Sequence, residues 1–438
     1  MQRTALRLCP WLACLALWLA PPASAENGAI DWPTFQGNNA RTGSTDYPAI
    51  KFPEIAWSTQ VGIMGYLNCP VIDGDRVFVT SSGDEHNQPD DRDGVYCLSL
   101  KTGEVLWHYP TSSDACGVTI DHQHVYAGDD AGMFHAIDRE TGELAWRYEF
   151  NASVFGQPLR IDDLVIAGGA KGFINAFDPK TGKKRWSFHH DDALRAGLSS
   201  DGEQIYAVYL HGRVVCFDLT GKVLWQRDAL DAAHSDSQWH EFYGPPTFHD
   251  DAVYLGFARD TTYKTPAISK LRANGVFEWS APNAGAFADK QELRFGNLRS
   301  SFAVFKDELI FGEPYGNNVL WARPFDGQIT KRYQCGLPMF PHWPSPVIAG
   351  ETMYLARHDG VLHAIDAPQN HNQRWVVYLG DHKKAKANGL PQAFAHFNRT
   401  DWKPPIGKPL YATPAIAKDG TIVIGSGEGW LYCIKEKQ

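Results

Sequence analysis

Neither Cys-x-x-Cys nor Cys-x-x-Cys-His occurs among the eight cysteines of this chain. That removes the spacings of a zinc ribbon, a thioredoxin-type redox pair and a covalently held c-type haem. No long block of lysine and arginine is present either. With 41 basic against 50 acidic residues and a net charge of −9, the chain lacks the concentrated basic surface that a phosphate backbone needs, so nucleic acid is excluded as a partner class. No long amphipathic helical pattern is evident. Beyond the N-terminus, no apolar run is long enough to span a membrane.

The N-terminus itself, MQRTALRLCPWLACLALWLAPPASA, reads as a secretory signal over residues 1–25. Arg3 and Arg7 form its basic region, an apolar stretch follows, and Ala23-Ser24-Ala25 supplies the small residues of a cleavage site. A lipoprotein reading would use Cys14, but LALWLA continues apolar beyond it and Trp11-Leu12-Ala13 fits poorly before it. The mature chain, 26–438, is expected to be soluble, periplasmic or secreted, and monomeric. Six cysteines remain in it. Cys97, Cys216 and Cys433 hold one repeat position that other copies fill with Ala136, Ala176 and Ala364, which marks a small core site. Cys69 and Cys116 fall near the start of two neighbouring repeats, so export leaves a pairing between them open.

What the chain has in abundance is one hairpin. DGVYCLSLKTGEVLWHYP at 93–110 returns as FHAIDRETGELAWRYEF, INAFDPKTGKKRWSFHH and VVCFDLTGKVLWQRDA. Its aromatic anchors are Trp57, Trp107, Trp146, Trp186, Trp225, Trp279, Tyr333 and Trp375, spaced by 50, 39, 40, 39, 54, 54 and 42 residues. A period near 40 with several short strands per copy is the signature of a propeller blade. In the Asp-x-x-Thr-Gly turn, glycine takes positive φ at little cost while Asp and Thr bond the local backbone. The final Trp is expected to pack between adjacent blades. The last copy ends at GWLYCIKEKQ without a fourth strand, and EIAWSTQV upstream supplies one. The sequence therefore predicts an all-β fold, an eight-bladed propeller of four-stranded antiparallel blades. Residues 54–61 close the ring by pairing with 429–435, which removes the open edge.

The repeated Asp-x-x-Thr-Gly-x-x-x-Trp hairpins, together with DWPTFQGNNARTG at 31–43, resemble the pyrroloquinoline-quinone-like (PQQ-like) repeat propellers. The resemblance covers essentially all of the mature chain. It implies the fold strongly and activity weakly, because that family holds quinoprotein dehydrogenases and also non-catalytic envelope proteins, such as the outer-membrane assembly lipoprotein of the barrel-assembly machinery. A dehydrogenase would need a planar quinone (PQQ) in the channel, Ca²⁺ on the quinone and an Asp base. The large alcohol dehydrogenases of the family also use a disulfide between adjacent cysteines, and no adjacent pair occurs here. No calcium-ligand triad matches residue by residue.

Residues just before each innermost strand line one mouth of a propeller channel. Blades one to three offer mostly small or apolar groups there. Blades four to eight offer Arg195, His240, Glu241, Tyr243, Arg294, Asn297, Arg299, His342, Trp343 and Tyr411. Arginines, histidines and aromatics converging on one funnel suit an anionic, carbonyl-bearing or sugar-like ligand. Two insertions stand out. Asp84, Glu85, Asp90, Asp91 and Asp93 lie in 81–94 without the spacing of a calcium loop, which favours a solvated acidic loop. The 380–408 segment between blades seven and eight is basic, then aromatic, and reads as a lid, a partner surface or a rim loop. Three functions are consistent with these features. The first is a non-catalytic binding or scaffold propeller of the envelope, with an envelope protein as partner. The second is a quinoprotein-type dehydrogenase. The third is a polysaccharide-active or lactonase-like enzyme that sets a Tyr or His base beside an arginine. The missing dehydrogenase motifs favour the first.

Overall fold

A computed structural model describes residues 29–65, 68–229, 240–259, 268–281, 298–312, 318–334, 344–357, 360–367, 373–379 and 410–438. The signal segment 1–25, the 380–408 insertion and Cys335 lie outside the described residues. Eight four-stranded antiparallel blades follow one another around an axis. Their innermost strands are Val71–Asp73, Ala115–Ile120, Leu159–Ile161, Ser199–Ser200, Thr247–His249, Ala303–Phe305, Val347–Ala349 and Ala415–Ile416. Blade eight is assembled from both ends of the chain. Pro53–Gln60 pairs antiparallel with Trp430–Glu436, with Trp57 opposite Cys433, so the ring closes within one residue of the expected register. Among the described residues the only helical piece is a three-residue 3₁₀ turn, Phe35–Gly37.

The hairpin repeat works through its turn. Asp138 Oδ1 accepts the Glu140 and Thr141 amides and the Thr141 hydroxyl, and Asp178 Oδ1 repeats the pattern on Lys180 and Thr181. The glycine that follows, Gly142, has φ +76°, and an added Cβ would stand 2.8 Å from the ring of Trp107 in the preceding blade. The indole thus lies flat on a turn that has no side chain there. Its N–H is also satisfied. Trp57, Trp107, Trp146, Trp186, Trp225 and Trp279 each donate Nε1 to a carbonyl beside the next blade's turn, at 2.7–3.1 Å. Trp375 has no such turn ahead of it, because the chain ends in blade eight. It donates instead to the Ile50 carbonyl at 2.9 Å. Blade five, with Asn274-Gly275 in place of the full motif, still seats Trp225 on its glycine. Blade five thus keeps the glycine and the indole without the Asp and Thr, which refine the turn in other blades.

The axis is filled from one end by the segment that precedes the closing strand. The Trp32 carbonyl accepts the Ile72 amide of blade one, and Pro33 accepts Ile120 of blade two. Asn39 donates through Nδ2 to the Arg160 carbonyl of blade three. The carbonyls of Asn39, Ala40, Thr42 and Gly43 then accept Ser200, Phe248, Val304 and Ile348 of blades four to seven, each at 2.8 Å. Lys418 of blade eight donates to Asp31. Ser44–Thr45 runs parallel to Val347–Ala349 as a fifth strand of blade seven. Every blade is thereby bonded to one stretch of 15 residues, 31–45. Arg41 sits inside it, fully buried and at φ +60°.

Above this axle the inner strands bond to each other. Asn68 Oδ1 accepts the Gly117 amide, the Asn68 carbonyl accepts Thr413, Thr413 Oγ1 accepts Ser345, Ser345 Oγ accepts Ser301, and Ser301 Oγ donates to Pro245. That chain of bonds runs from blade two through blades one, eight, seven and six to blade five. Between blades two, three and four, bare glycines replace it, because a Cβ on Gly156 would meet the Ala196 carbonyl at 2.7 Å. This girdle ties the inner strands together above the axle.

Candidate functional site

Among the described residues, a cup of about 380 Å³ opens at the mouth where the inner strands begin. Its lining includes Asn68, His86, Asp114, Cys116, Asp130, Phe155, Arg195 and Tyr411. Five of these come from the stretches that precede inner strands, in blades one, two, three, four and eight, where the sequence places a funnel. Among the described residues the cup's polar groups come mainly from blades one and two; Arg294, Asn297, His342, Trp343 and the His240 side chain, which the sequence places in blades five to seven, lie outside those residues.

The 81–94 insertion supplies part of this lining. It folds inward and its tip forms part of the cup wall. His86 Nδ1 lies 3.3 Å from Asp114 Oδ2, and the Asn87 amide donates to both Asp114 oxygens at 3.1 Å, with Asn87 at φ +61°. The other carboxylates hold the loop itself. Asp90 accepts the amides of Asp84 and Arg92, Asp93 accepts that of Asp90, and Arg92 pairs with Asp84 at 2.7 Å. Among the described residues, no group of three or more His, Cys, Asp or Glu converges as a metal site.

Three carboxyls in this region have different electrostatics. Burial works to raise Asp114, but bonds from His86 and Asn87 outweigh it and hold the group below its usual range. Asp130 has no such support. Burial, reinforced by the nearby Asp114 charge, pushes it up to about 6. Asp93, wholly buried at the root of the insertion, is likewise pushed up by burial to about 6. Cys116 is driven well above an ordinary thiol by burial and by Asp130.

Asp93 carries a testable pH dependence. It retains its proton in the folded protein up to about pH 6, whereas an unfolded aspartate loses it near 3.8. The folded state therefore binds more protons through that window, and the stability linked to this group declines as pH rises through it. Half-buried His108, whose pKa is lowered, acts in the opposite direction near its unfolded value of 6.5. Comparing a variant with the parent isolates the carboxyl. Asp93→Asn is expected to gain in melting temperature relative to the parent as the pH goes from about 4.5 to about 6.5. A difference that stays constant over that range would sink this assignment.

Of the funnel residues named from the sequence, Arg195 and Tyr411 line the cup. The Arg195 guanidinium lies 5.7 Å from the centre of the Phe155 ring, and burial raises the Tyr411 hydroxyl. Tyr243, Glu241 and Arg299 form a separate cluster that is not part of the cup lining. Arg299 stacks 4.4 Å from the Tyr243 ring centre, and the Tyr243 hydroxyl donates to the Glu241 carboxylate. The backbone of His240–Glu241 pairs with Ala258–Arg259. Arg294, Asn297, His342, Trp343 and the His240 side chain lie outside the described residues. Cys69 and Cys116 are both free thiols. Cys69 is fully buried and donates to the Pro70 carbonyl at 3.2 Å, while Cys116 faces Asp130 at 3.7 Å. Sequence reading missed Asp114, Asp130 and His86 as cup residues. Asp114 stands in SSDAC, directly ahead of an inner strand, which was the available signal.

PQQ with Ca²⁺ does not fit the donor set of the described cup residues. A quinone carrying several carboxylates needs cations and two free ring faces. The cup instead presents two aspartates, Asp114 is already committed to His86 and Asn87, and Arg195 lies against Phe155.

No curated protein matches the sequence. BamB from Moraxella catarrhalis superposes with a TM-score of 0.63 at 16% identity, over 87% of this chain and 99% of that one. Quinohemoprotein alcohol dehydrogenase from Comamonas testosteroni gives 0.66 at 14%, over 93% and 82%. The computationally designed Ika8 protein gives 0.62 at 12%, over 85% and 98%. At such identities the likeness concerns the fold alone. The sequence itself carries two overlapping matches to the PQQ-like repeat family model described as outer membrane protein assembly factor BamB, at residues 110–282 and 170–376. Together they span more than half of the chain, which belongs to that family.

Proposed function

We propose that the protein is an exported, soluble, non-catalytic propeller of the cell envelope, acting as a binding or scaffold protein in the periplasm or as a secreted monomer. The observation that carries this reading is the division of the axis. Among the described residues, the axle fills one end, the girdle ties the inner strands together, and the cup's Asp114 is spent on holding a loop. Family membership supports an envelope role and an envelope protein as partner, and residues 1–25 support export. The quinoprotein-dehydrogenase reading draws on the same fold, but the cup's donor set does not suit its cofactor. A polysaccharide-active or lactonase-like enzyme would use Tyr243 beside Arg299, and there the tyrosine hydroxyl already donates to Glu241.

Two measurements test the proposal. Residues 1–25 fused to a reporter enzyme that is active only outside the cytoplasm are expected to give activity, and a silent fusion would remove export. The purified 26–438 chain, supplied with PQQ and Ca²⁺, is expected to reduce no dye with alcohols or sugars. Turnover that depends on the quinone would overturn the non-catalytic reading.

A further inference from the structure

The funnel arginines and histidines of the sequence point to an anionic ligand. The described cup points to the opposite sign. Asp114 has both oxygens engaged by His86 and Asn87, whereas among the described residues the one hydrogen-bond partner of the Asp130 carboxylate is the Cys116 thiol, 3.7 Å away. Among the described residues Asp130 forms no ion pair, although Arg195 and His86 line the same cavity. Arg195 is held against Phe155 and His86 against Asp114. Neither arrangement neutralises Asp130.

We propose that the cup binds a primary ammonium group carried on a small polar body, with Asp130 as its counter-ion. An ammonium brings three donors. Asp130 takes one, and the remaining donors face a cavity whose lining also includes the polar residues Asn68, Ser82 and Tyr411. Phe155 and Tyr411 give the body of the ligand apolar ring surface, the usual division of labour in small-ligand sites. A cavity of about 380 Å³ holds one sugar ring or one side chain rather than a folded domain. The raised pKa of Asp130 agrees with this geometry, since an anion desolvated beside another anion is stabilised by an arriving cation. The inference rests on the binding-propeller reading and deepens it. The same chemistry can come from a free amine or from a lysine side chain of an envelope partner.

The test is calorimetric titration of the 26–438 chain with two amines and their acetylated twins. The first pair is glucosamine and N-acetylglucosamine. The second is a blocked Gly-Lys-Gly peptide and the same peptide acetylated on lysine. At least one amine is expected to bind saturably, with its uncharged twin weaker by about tenfold or more. Binding should weaken as the pH falls below about 6, where Asp130 takes up its proton. Asp130→Asn is expected to lose about tenfold or more in affinity without a lower melting temperature, because it removes a charge that the fold disfavours. Phe155→Ala, which leaves every charge in place, should weaken the amine severalfold and keep its preference over the twin. Asp228→Asn, outside the cup, should change nothing. Equal binding of amine and twin would overturn the proposal. So would full affinity in Asp130→Asn, or no binding of either amine up to about 10 mM. The export and dye-reduction results stand apart from all three outcomes, so failure here leaves the envelope reading to its own tests.

Discussion

Arg41→Ala is expected to cost about 3–5 kcal/mol of stability, the range for stripping one partner from a buried charged network. The guanidinium is fully buried in the axle. Its four acceptors are neutral. Nε donates to the Leu198 carbonyl at 2.9 Å, and the two terminal nitrogens donate to Thr34, Phe35 and Pro158. A buried cation without a carboxylate survives only where its donors are well matched, and the fork geometry of arginine supplies that match. Removing it strands the buried Leu198 and Phe35 carbonyls, while Pro158 keeps the Thr119 hydroxyl, and it leaves a void against blades three and four. Arg41→Lys should recover little, because one ammonium cannot span acceptors on three segments. Urea unfolding followed by tryptophan fluorescence measures both variants. If Arg41→Ala unfolds within about 1 kcal/mol of the parent, the axle does not carry the stability assigned to it.

Ending the chain at Gly429 is expected to prevent folding altogether. The missing strand, Trp430–Glu436, is central in its blade, flanked by Ile422–Gly425 on one side and Pro53–Gln60 on the other. Its loss exposes two strand edges, opens the ring and uncovers the face of blade one. Cys433→Pro is the milder version. It deletes a ladder donor in the middle of that strand and should cost about 3 kcal/mol or more. Circular dichroism and size-exclusion chromatography distinguish a closed particle from an expanded or aggregated chain. A truncated protein that elutes and melts like the full chain would show that blade eight is dispensable.

The blades were legible in the sequence because each is encoded locally. Asp138, Thr141, Gly142 and Trp146 fall within nine residues, and their chemistry needs nothing from elsewhere to declare a turn and an anchor. Closure was legible too, from a fourth strand missing at one end and surplus at the other. The cup was legible only in part. Arg195 and Tyr411 could be placed from the rule that residues ahead of inner strands face a mouth. Tyr243, Glu241 and Arg299 obey the same rule, yet they satisfy one another in a separate cluster, which no pattern of spacing reveals. Asp130 enters from the turn between the second and third strands of blade two, and His86 from an insertion whose path depends on Asp114. Both belong to long-range packing. The axle was the largest omission. DWPTFQGNNARTG identifies the family, but nothing in its composition says that its carbonyls will be shared out among successive blades.

Shared out in that way, the axle has a consequence for the order in which the molecule comes into being. Residues 31–45 leave the ribosome before any blade exists, and the partners of Pro53–Gln60 are among the last residues made. At roughly 5–20 residues per second, that strand waits on the order of 20–70 seconds for its mate. The contacts that complete the molecule join its two ends, and such high contact order makes the final step slow. Until then an unpaired strand edge stands open to other chains. The nascent protein is consequently most vulnerable at its oldest part, and a chaperone that shields 31–60 during synthesis or transit would protect it more than one acting anywhere else.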